Sequence, residues 1–305
     1  MLLNYLSSSL ILTPDFIYHI ACSANERYNK FSIAKENGKS RVVYQPQKEL
    51  KLLQRVIHDD FLKKITPHPS CTAYRDGAST YKNAHLHKDN KYLLRLDFVD
   101  FFKSVTSNDI LLFLSEASSK FHPDWSDEDS ELFLKIVCYK GRLTMGSVTA
   151  PAISNLICWS LDEKISELCS LKGITYSRYS DDMYFSTNKD NVLLSLTTSI
   201  INIIRSIEYP KHLIINSSKT KHSSKKRKMS VTGLTITNDN KISLGRDKKR
   251  EIRSLVYKWQ SLDIKKKKYL QGYLSYCASV EPTFINSLCI KFGSATISQI
   301  QKYVP

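Results

Sequence analysis

No Cys-x-x-C pair occurs anywhere in the 305 residues. The seven cysteines (22, 71, 138, 158, 169, 277 and 289) stand singly, and their number is odd. That pattern argues against a zinc site or a disulfide framework and for reduced, mostly buried thiols. No apolar run is long enough to span a bilayer. The opening "MLLNYLSSSLILTPDF" lacks a basic leading segment, is interrupted by three serines and shows no small-residue cleavage site. It reads as an N-terminal helix or arm rather than a signal peptide, and the expected localisation is cytoplasmic. Internal repeats and long low-complexity linkers are also missing.

Acidic residues are outnumbered, 29 against 45 Lys and Arg, for a net charge of +16. The excess is concentrated. Between Lys219 and Lys268 there are 17 Lys and Arg against 4 Asp and Glu, which is +13 of the total. No basic amphipathic stretch studded with Trp and Phe points to a membrane. A polyanion such as nucleic acid is the partner that this charge favours. At 42% hydrophobic residues, the chain can bury a core of two or three subdomains.

Elements follow from periodicity. "KENGKSRVVYQP" predicts a hairpin with Asn37-Gly38 as its turn. "QKELKLLQRVIHDDFLKKI" carries Leu50, Leu53, Val56, Ile57 and Leu62 at helical spacing. "KYLLRLDF" is a nearly continuous apolar run that suits a buried central strand. Helices are expected in "TSNDILLFLSEASSKF", begun by a Ser/Asn cap, and in "WSDEDSELFLKIVCYKG", begun by a Ser126/Asp129 capping box. Asp124, Asp127, Glu128 and Asp129 read as helix N-terminal charge, not as a metal site. "APAISNLICWSLDEKISEL" reads as one helix, and another covers about 190–208. "LGRDKKREIRSLVYKWQ" has an apolar stripe of Ile252, Leu255, Val256 and Trp259 opposite a cationic face. Together these give an α+β class, with helices on one face of a mainly antiparallel sheet.

"ITYSRYSDDMYFSTN" sets Asp181 and Asp182 side by side between two strand-like runs, with Ser180–Met183 as the turn. Aspartate is a common turn residue. Yet two like charges at ~4 Å and an effective dielectric of ~20 repel by about 4 kcal/mol. A divalent cation turns that repulsion into a binding site. Asp97 ends the apolar strand in "LRLDFVDFF", where an uncompensated carboxylate is expensive. If that strand lies beside the hairpin, three carboxylates converge on one edge. Oxygen donors of this kind suit Mg²⁺, and two such ions about 3.5–4 Å apart can clamp an in-line displacement at phosphorus.

These stretches resemble the motifs of reverse transcriptases. "LDFVDFF" is similar to motif A, "LTMGSVTAPAISNLIC" to motif B, "YSDD" to the Tyr-x-Asp-Asp motif C, and "INSSKT" to motif D, all in order. "NAHLH" (83–87) and "VTG" (231–233) resemble the two signatures of retron reverse transcriptases, and "RVVYQPQKELKLLQ" with "AYRDGAST" resembles their fingers motifs. The motifs cover about half the chain. The resemblance implies a right-hand polymerase architecture: arm and fingers at 1–92, palm at 93–242 with a helical insertion around 106–143, and a basic helical thumb at 243–305.

It also implies an activity. Such an enzyme copies a structured noncoding RNA into a short cDNA from dNTPs, primed by an RNA 2′-OH. The branched RNA–DNA product (msDNA) serves antiphage defence with an effector protein encoded nearby. About 60 residues follow the expected palm, which leaves no room for RNase H, so a host RNase H is expected to trim the template. Two other readings fit the same motifs: a group II intron-like or phage-exclusion reverse transcriptase, and an inactive RNA-binding scaffold.

The resemblance assigns roles residue by residue. Asp97, Asp181, Asp182 and the Phe98 carbonyl would hold two Mg²⁺ ions, with Mn²⁺ a substitute. Lys219 would protonate the leaving pyrophosphate, or is one of many local lysines. Arg41 and Arg75 grip the triphosphate or are surface charges. Phe102 excludes a ribose 2′-OH or is a core aromatic beside Phe101. Gly146 lets backbone approach the nucleotide or is a plain turn glycine. Asn83 and His87 contact the RNA or pin fingers to palm. Val231, Thr232 and Gly233, with Lys248, Lys249, Arg250 and Arg253, would meet RNA or DNA. Three positions depart from the family pattern: Ala78 for Arg, Met145 for Gln and Ala150 for Ser.

Overall fold

Strand β1 (Tyr28–Ala34) pairs antiparallel with β2 (Ser40–Pro46), Tyr28 opposite Pro46 and Ala34 opposite Ser40. The computed structural model describes residues 1–34, 38 and 40–304. The expected Asn37-Gly38 turn therefore falls partly outside the described residues, since Asn37 is not among them. The chain divides into two compact units. One comprises Met1–Ala78, Leu94–Phe185 and Asn191–Lys221; the other comprises Ser79–Leu93, Ser186–Asp190 and His222–Pro305.

Strand β3 (Tyr92–Asp97) buries Leu93, Leu94, Leu96 and Asp97, as its apolar run predicts. Strands β4 (Thr175–Tyr179) and β5 (Asp182–Thr187) are joined by Ser180 and Asp181 alone, a link that only antiparallel neighbours allow. The turn is thus tighter than Ser180–Met183, because Asp182 already belongs to β5. With β6 (Lys221–Ser224) these strands form a four-stranded sheet of order β4-β5-β3-β6.

The helices of the first unit follow the local signals closely. Helix Lys48–Asp60 buries Leu50, Leu53, Gln54 and Ile57. Helix Asp127–Val137 starts on the expected Ser126/Asp129 capping box, and Asp129 also accepts the Leu2 N–H at 2.7 Å. Helix Ser107–Ala117 starts one residue earlier than expected. Its cap is Thr106, whose hydroxyl accepts the Asp109 N–H while Asp109 accepts the Thr106 N–H. The single helix expected after Ala150 is two, Ala150–Ile157 and Trp159–Lys172. Cys158 between them opens to φ −85°, ψ 8°. The helix expected at about 190–208 is Leu196–Ser206.

In the second unit, β7 (Met229–Val231), β8 (Leu234–Ile236) and β9 (Ile242–Ser243) form a three-stranded antiparallel sheet. Thr232 and Gly233 turn the β7–β8 hairpin with φ of 47° and 81°. Positive φ at both central residues is what a two-residue hairpin of this twist demands. The helices Arg246–Tyr257, Ile264–Val280, Pro282–Phe292 and Ser294–Gln301 bury Ile252, Val256, Leu270, Leu274, Phe284, Leu288 and Ile297. No helix among the described residues is long and apolar enough to cross a membrane.

Gly146 shows why one glycine cannot be replaced. Its φ is +105°, and a Cβ there would lie 2.5 Å from the Tyr44 carbonyl oxygen and 2.7 Å from Val43 Cγ1. The Tyr44 N–H donates to the Met145 carbonyl at 2.8 Å. The backbone that Gly146 admits is therefore that of β2. Gly146→Ala should cost about 1–3 kcal/mol of unfolding free energy through strain. Urea denaturation measures this, and an unchanged midpoint would contradict the packing argument.

Candidate active site

Alternation along β3 puts Arg95 and Asp97 on the same face. The Phe98 N–H donates to the Asp181 carbonyl at 3.2 Å, which brings the end of β3 against the β4–β5 turn. Asp97, Asp181 and Asp182 thus meet at adjacent strand ends, as the sequence predicts. Phe98 is itself buried and stacks on Phe101 at 5.5 Å between ring centroids.

Each carboxylate has a different partner. Asp97 is 3% exposed, and Lys219 Nζ donates to its two oxygens at 2.8 and 3.1 Å. Asp182 is gripped by the Arg95 guanidinium, with Nε and Nη2 donating at 2.8–3.0 Å, and by the Tyr184 hydroxyl at 3.1 Å. Burial pushes the Asp182 carboxyl above its ordinary pKa, Arg95 pulls it back, and Asp181 and Asp97 add to the rise. Asp181 lines an open cleft.

The turn that carries Asp181 is braced from beneath. Arg178 and Asp162 form a fully buried pair, with Nη2 to Oδ2 at 2.6 Å, and Arg178 Nη1 donates to the Ser180 carbonyl at 3.1 Å. The Tyr74 hydroxyl donates to Ser180 Oγ at 3.1 Å. Sequence reasoning passed over Arg95, Tyr184, Asp162 and Arg178. For Arg95 the signal was present: it stands two residues from Asp97 on one strand face. Gln54 was also missed. It is wholly buried; its amide donates to Tyr28 Oη and the Ile136 carbonyl at 2.9 Å each, and its oxygen accepts from Ser147 Oγ and the Val148 N–H at 3.1 Å each. It fixes the loop that bears Met145 and Gly146.

The cleft beside Asp181 has a volume of about 280 Å³, and Arg41, Phe102, Met145 and Lys219 line it. Phe101 and Phe102 both border the cleft, Phe101 buried at 3% exposed and Phe102 half-buried. Arg75 is not among its lining residues. It borders a different cavity with His58, Lys63 and Pro151, and donates to the Cys71 carbonyl at 3.3 Å.

The donor set suits a hard divalent cation: three carboxylates and no thiolate or imidazole. Two of the three carboxylates are paired with cationic side chains. Among the described residues, no three His, Cys, Asp or Glu side chains are gathered as a ready-made metal cluster. Lys219 and Arg95 hold two of the three carboxylates instead.

In the second unit the outcome is mixed. Asn83 and His87 are 0% exposed, and Val231 is buried as well. These three offer no side-chain surface in the folded chain. His87 Nδ1 and Ser186 Oγ are 2.7 Å apart. Thr232 Oγ1 donates to the Thr80 carbonyl at 2.9 Å, so the VTG turn rests on the helix Thr80–Leu86 that carries Asn83. Gly233 is exposed. The cationic face is narrower than its sequence suggests. Lys248 pairs with Glu251 at 2.7 Å; Lys249 pairs with Glu281; Lys249 and Arg253 lie 5.6 and 5.1 Å over the Phe284 ring. Arg250 alone of the four is exposed.

Residues 33–236 match the reverse transcriptase (RNA-dependent DNA polymerase) family. The fold is accordingly that of an α+β polymerase. The apo telomerase of Candida tropicalis superposes with a TM-score of 0.50 at 12% identity, covering 91% of this chain and 58% of that one, a likeness of fold alone. The retron Ec83 reverse transcriptase of Escherichia coli is 37% identical over 95% of both chains. The retron Ec86 reverse transcriptase of Escherichia coli is 28% identical, covering 97% of this chain and 92% of that one. This chain belongs to the retron reverse transcriptases and is an RNA-directed DNA polymerase.

His87 makes its burial measurable. Burial pushes its pKa down to about 3, so it stays neutral in the folded chain. In the unfolded chain a histidine protonates near ~6.5. Its contribution to stability is therefore whole above about pH 6.5 and lost as pH falls toward the folded value. Between pH 7 and pH 5, His87→Gln should remove about 2 kcal/mol of the wild-type decline in unfolding free energy. An identical decline in the variant would mean that His87 is solvated.

Proposed function

We propose that this enzyme copies a structured noncoding RNA into a short DNA, primed from an RNA 2′-OH, to give a branched RNA–DNA molecule for antiphage defence. One observation carries the reading: Asp97, Asp181 and Asp182 converge at adjacent strand ends in a chain with a near full-length retron relative. Asp97, Asp181 and Asp182, with the Phe98 carbonyl, would hold two Mg²⁺ ions, for which Mn²⁺ would substitute. When bound, such ions activate the attacking hydroxyl and neutralise charge on the reacting phosphate.

The chain's own groups do the rest. Arg41, exposed on β2, meets the triphosphate, because its fork matches phosphate oxygens. Phe102 lies under the sugar and leaves no room for a 2′-OH. Lys219 leaves Asp97 and passes a proton from Nζ to the departing pyrophosphate. Fingers (1–92) and palm (93–242) supply these groups, and the thumb (243–305) carries the cationic helix. An effector protein and a host RNase H complete the system, as for the resembled family.

Sequencing the nucleic acid that copurifies with the chain tests the product: a short DNA joined to a structured RNA is expected. Asp181→Asn with Asp182→Asn should abolish primer extension while RNA binding survives, since Asn keeps the turn chemistry without the charge. Full synthesis by that double variant would overturn the reading.

The cationic helix makes a separate expectation. Phosphate contacts position the partner without reading sequence. Arg250→Gln should weaken RNA binding and flatten the log–log salt slope by roughly one unit, as one lost contact requires. Lys249→Gln should instead lower the thermal midpoint, because its ammonium is committed to Glu281. Anisotropy titrations at several salt concentrations decide this, and an unchanged slope in Arg250→Gln would contradict it.

A further inference from the structure

A carboxylate offers two oxygens and about four lone-pair directions. At Asp182 four hydrogen bonds occupy them: Arg95 Nε and Nη2 on Oδ1, and Arg95 Nη2 and Tyr184 Oη on Oδ2. No cation can bind Asp182 without replacing at least one. Lys219 on Asp97 is a different kind of partner. Its ammonium sits on a flexible stem with the side chain 50% exposed, and a single Nζ makes both contacts. Arg95 presents a rigid planar fork, which loses less freedom for each bond it makes.

The charges explain why a fork belongs there. Three carboxylates meet in one corner, and Arg95 with Lys219 leaves the corner one negative charge in excess. The Asp182 side chain is 18% exposed, against 4% for the Asp97 side chain that Lys219 holds. Arg95 is also 6.0 Å from the centroid of the Tyr184 ring, so the guanidinium is fixed on two sides. Releasing it breaks three hydrogen bonds to Asp182, against two for Lys219 on Asp97.

We propose that Arg95 is a resident counter-cation of Asp182: a positioning residue that holds this carboxylate aimed and neutralised, and with which a divalent cation must compete. Arg95 thereby sets how tightly the site takes its cation. This rests on the reading that the three carboxylates bind divalent cations.

Mn²⁺ titration of the full chain, followed by electron paramagnetic resonance without nucleotide or template, tests it. Arg95→Gln removes the competing charge and should tighten Mn²⁺ binding by roughly tenfold, the scale of one charge-assisted contact. Arg95→Lys keeps the charge but loses the fork, and should tighten binding less. In EDTA the thermal midpoint of Arg95→Gln should fall, and saturating Mn²⁺ should restore it. A merely structural arginine would lower the midpoint without moving the Mn²⁺ affinity. Should Arg95→Gln fail to fold, tighter binding by Arg95→Lys carries the proposal. Unchanged or weaker binding by the folded variants overturns it. The Asp181→Asn, Asp182→Asn double variant separates the two levels. If it loses Mn²⁺ binding while the Arg95 variants show no shift, only the role of Arg95 falls. If it binds Mn²⁺ as the wild type does, the cation-site reading falls and this proposal with it.

Discussion

Mutual repulsion among Asp97, Asp181 and Asp182 is the constraint around which the first unit is organised. Unfolded, the three charges are far apart and solvated. Folded, they share a corner, and Asp97 is almost wholly removed from water. Such a charge must be paired or it is lost by protonation. Lys219 and Arg95 supply the pairing, one from a mobile stem and one from a rigid fork. Two of the three negative charges are thus balanced while the acidic groups stay in place.

Holding the corner together takes structure below it. The Asp162–Arg178 pair, neither side chain exposed to solvent, reaches the carbonyl of Ser180 and so sets the path of the turn. Breaking a buried pair by removing one partner typically costs about 3–5 kcal/mol, so this brace is not easily dispensed with. On the cleft's other side, Gln54 ties the Ser147–Val148 backbone to the helix Lys48–Asp60, and Gly146 lets that loop lie against β2. Met145 reaches the cleft because these supports fix the loop that carries it, and Phe102 reaches it from the short helix Phe101–Ser104.

Much of this was legible in the sequence, for local reasons. The apolar run ending in Asp97 and the two strand-like runs flanking Asp181 and Asp182 gave β3, β4 and β5 and their acidic ends. The Ser126/Asp129 box gave a helix start. What escaped was tertiary. Arg95 sat unremarked inside an apolar run, although its two-residue spacing from Asp97 put both on one face. His87, Asn83 and Val231 look like polar or surface signatures in one dimension, yet the fold buries them. Arg75 lies near the motifs in sequence and lines another cavity. Lys249 and Arg253 fit a helical cationic stripe, but Glu281 and Phe284, some thirty residues on, draw them inward. No periodicity reveals such partners.

The role proposed for the three carboxylates is to hold divalent cations during RNA-templated DNA synthesis. Anomalous diffraction from crystals of the enzyme with primer, RNA template, a non-hydrolysable dNTP and Mn²⁺ tests it most directly. The account predicts Mn²⁺ peaks within roughly 2 Å of oxygens of Asp97, Asp181 and Asp182, a distance typical of small divalent ions. It also predicts Lys219 released from Asp97. Peaks elsewhere, with Asp97 and Asp182 still bound only to Lys219 and Arg95, would contradict it.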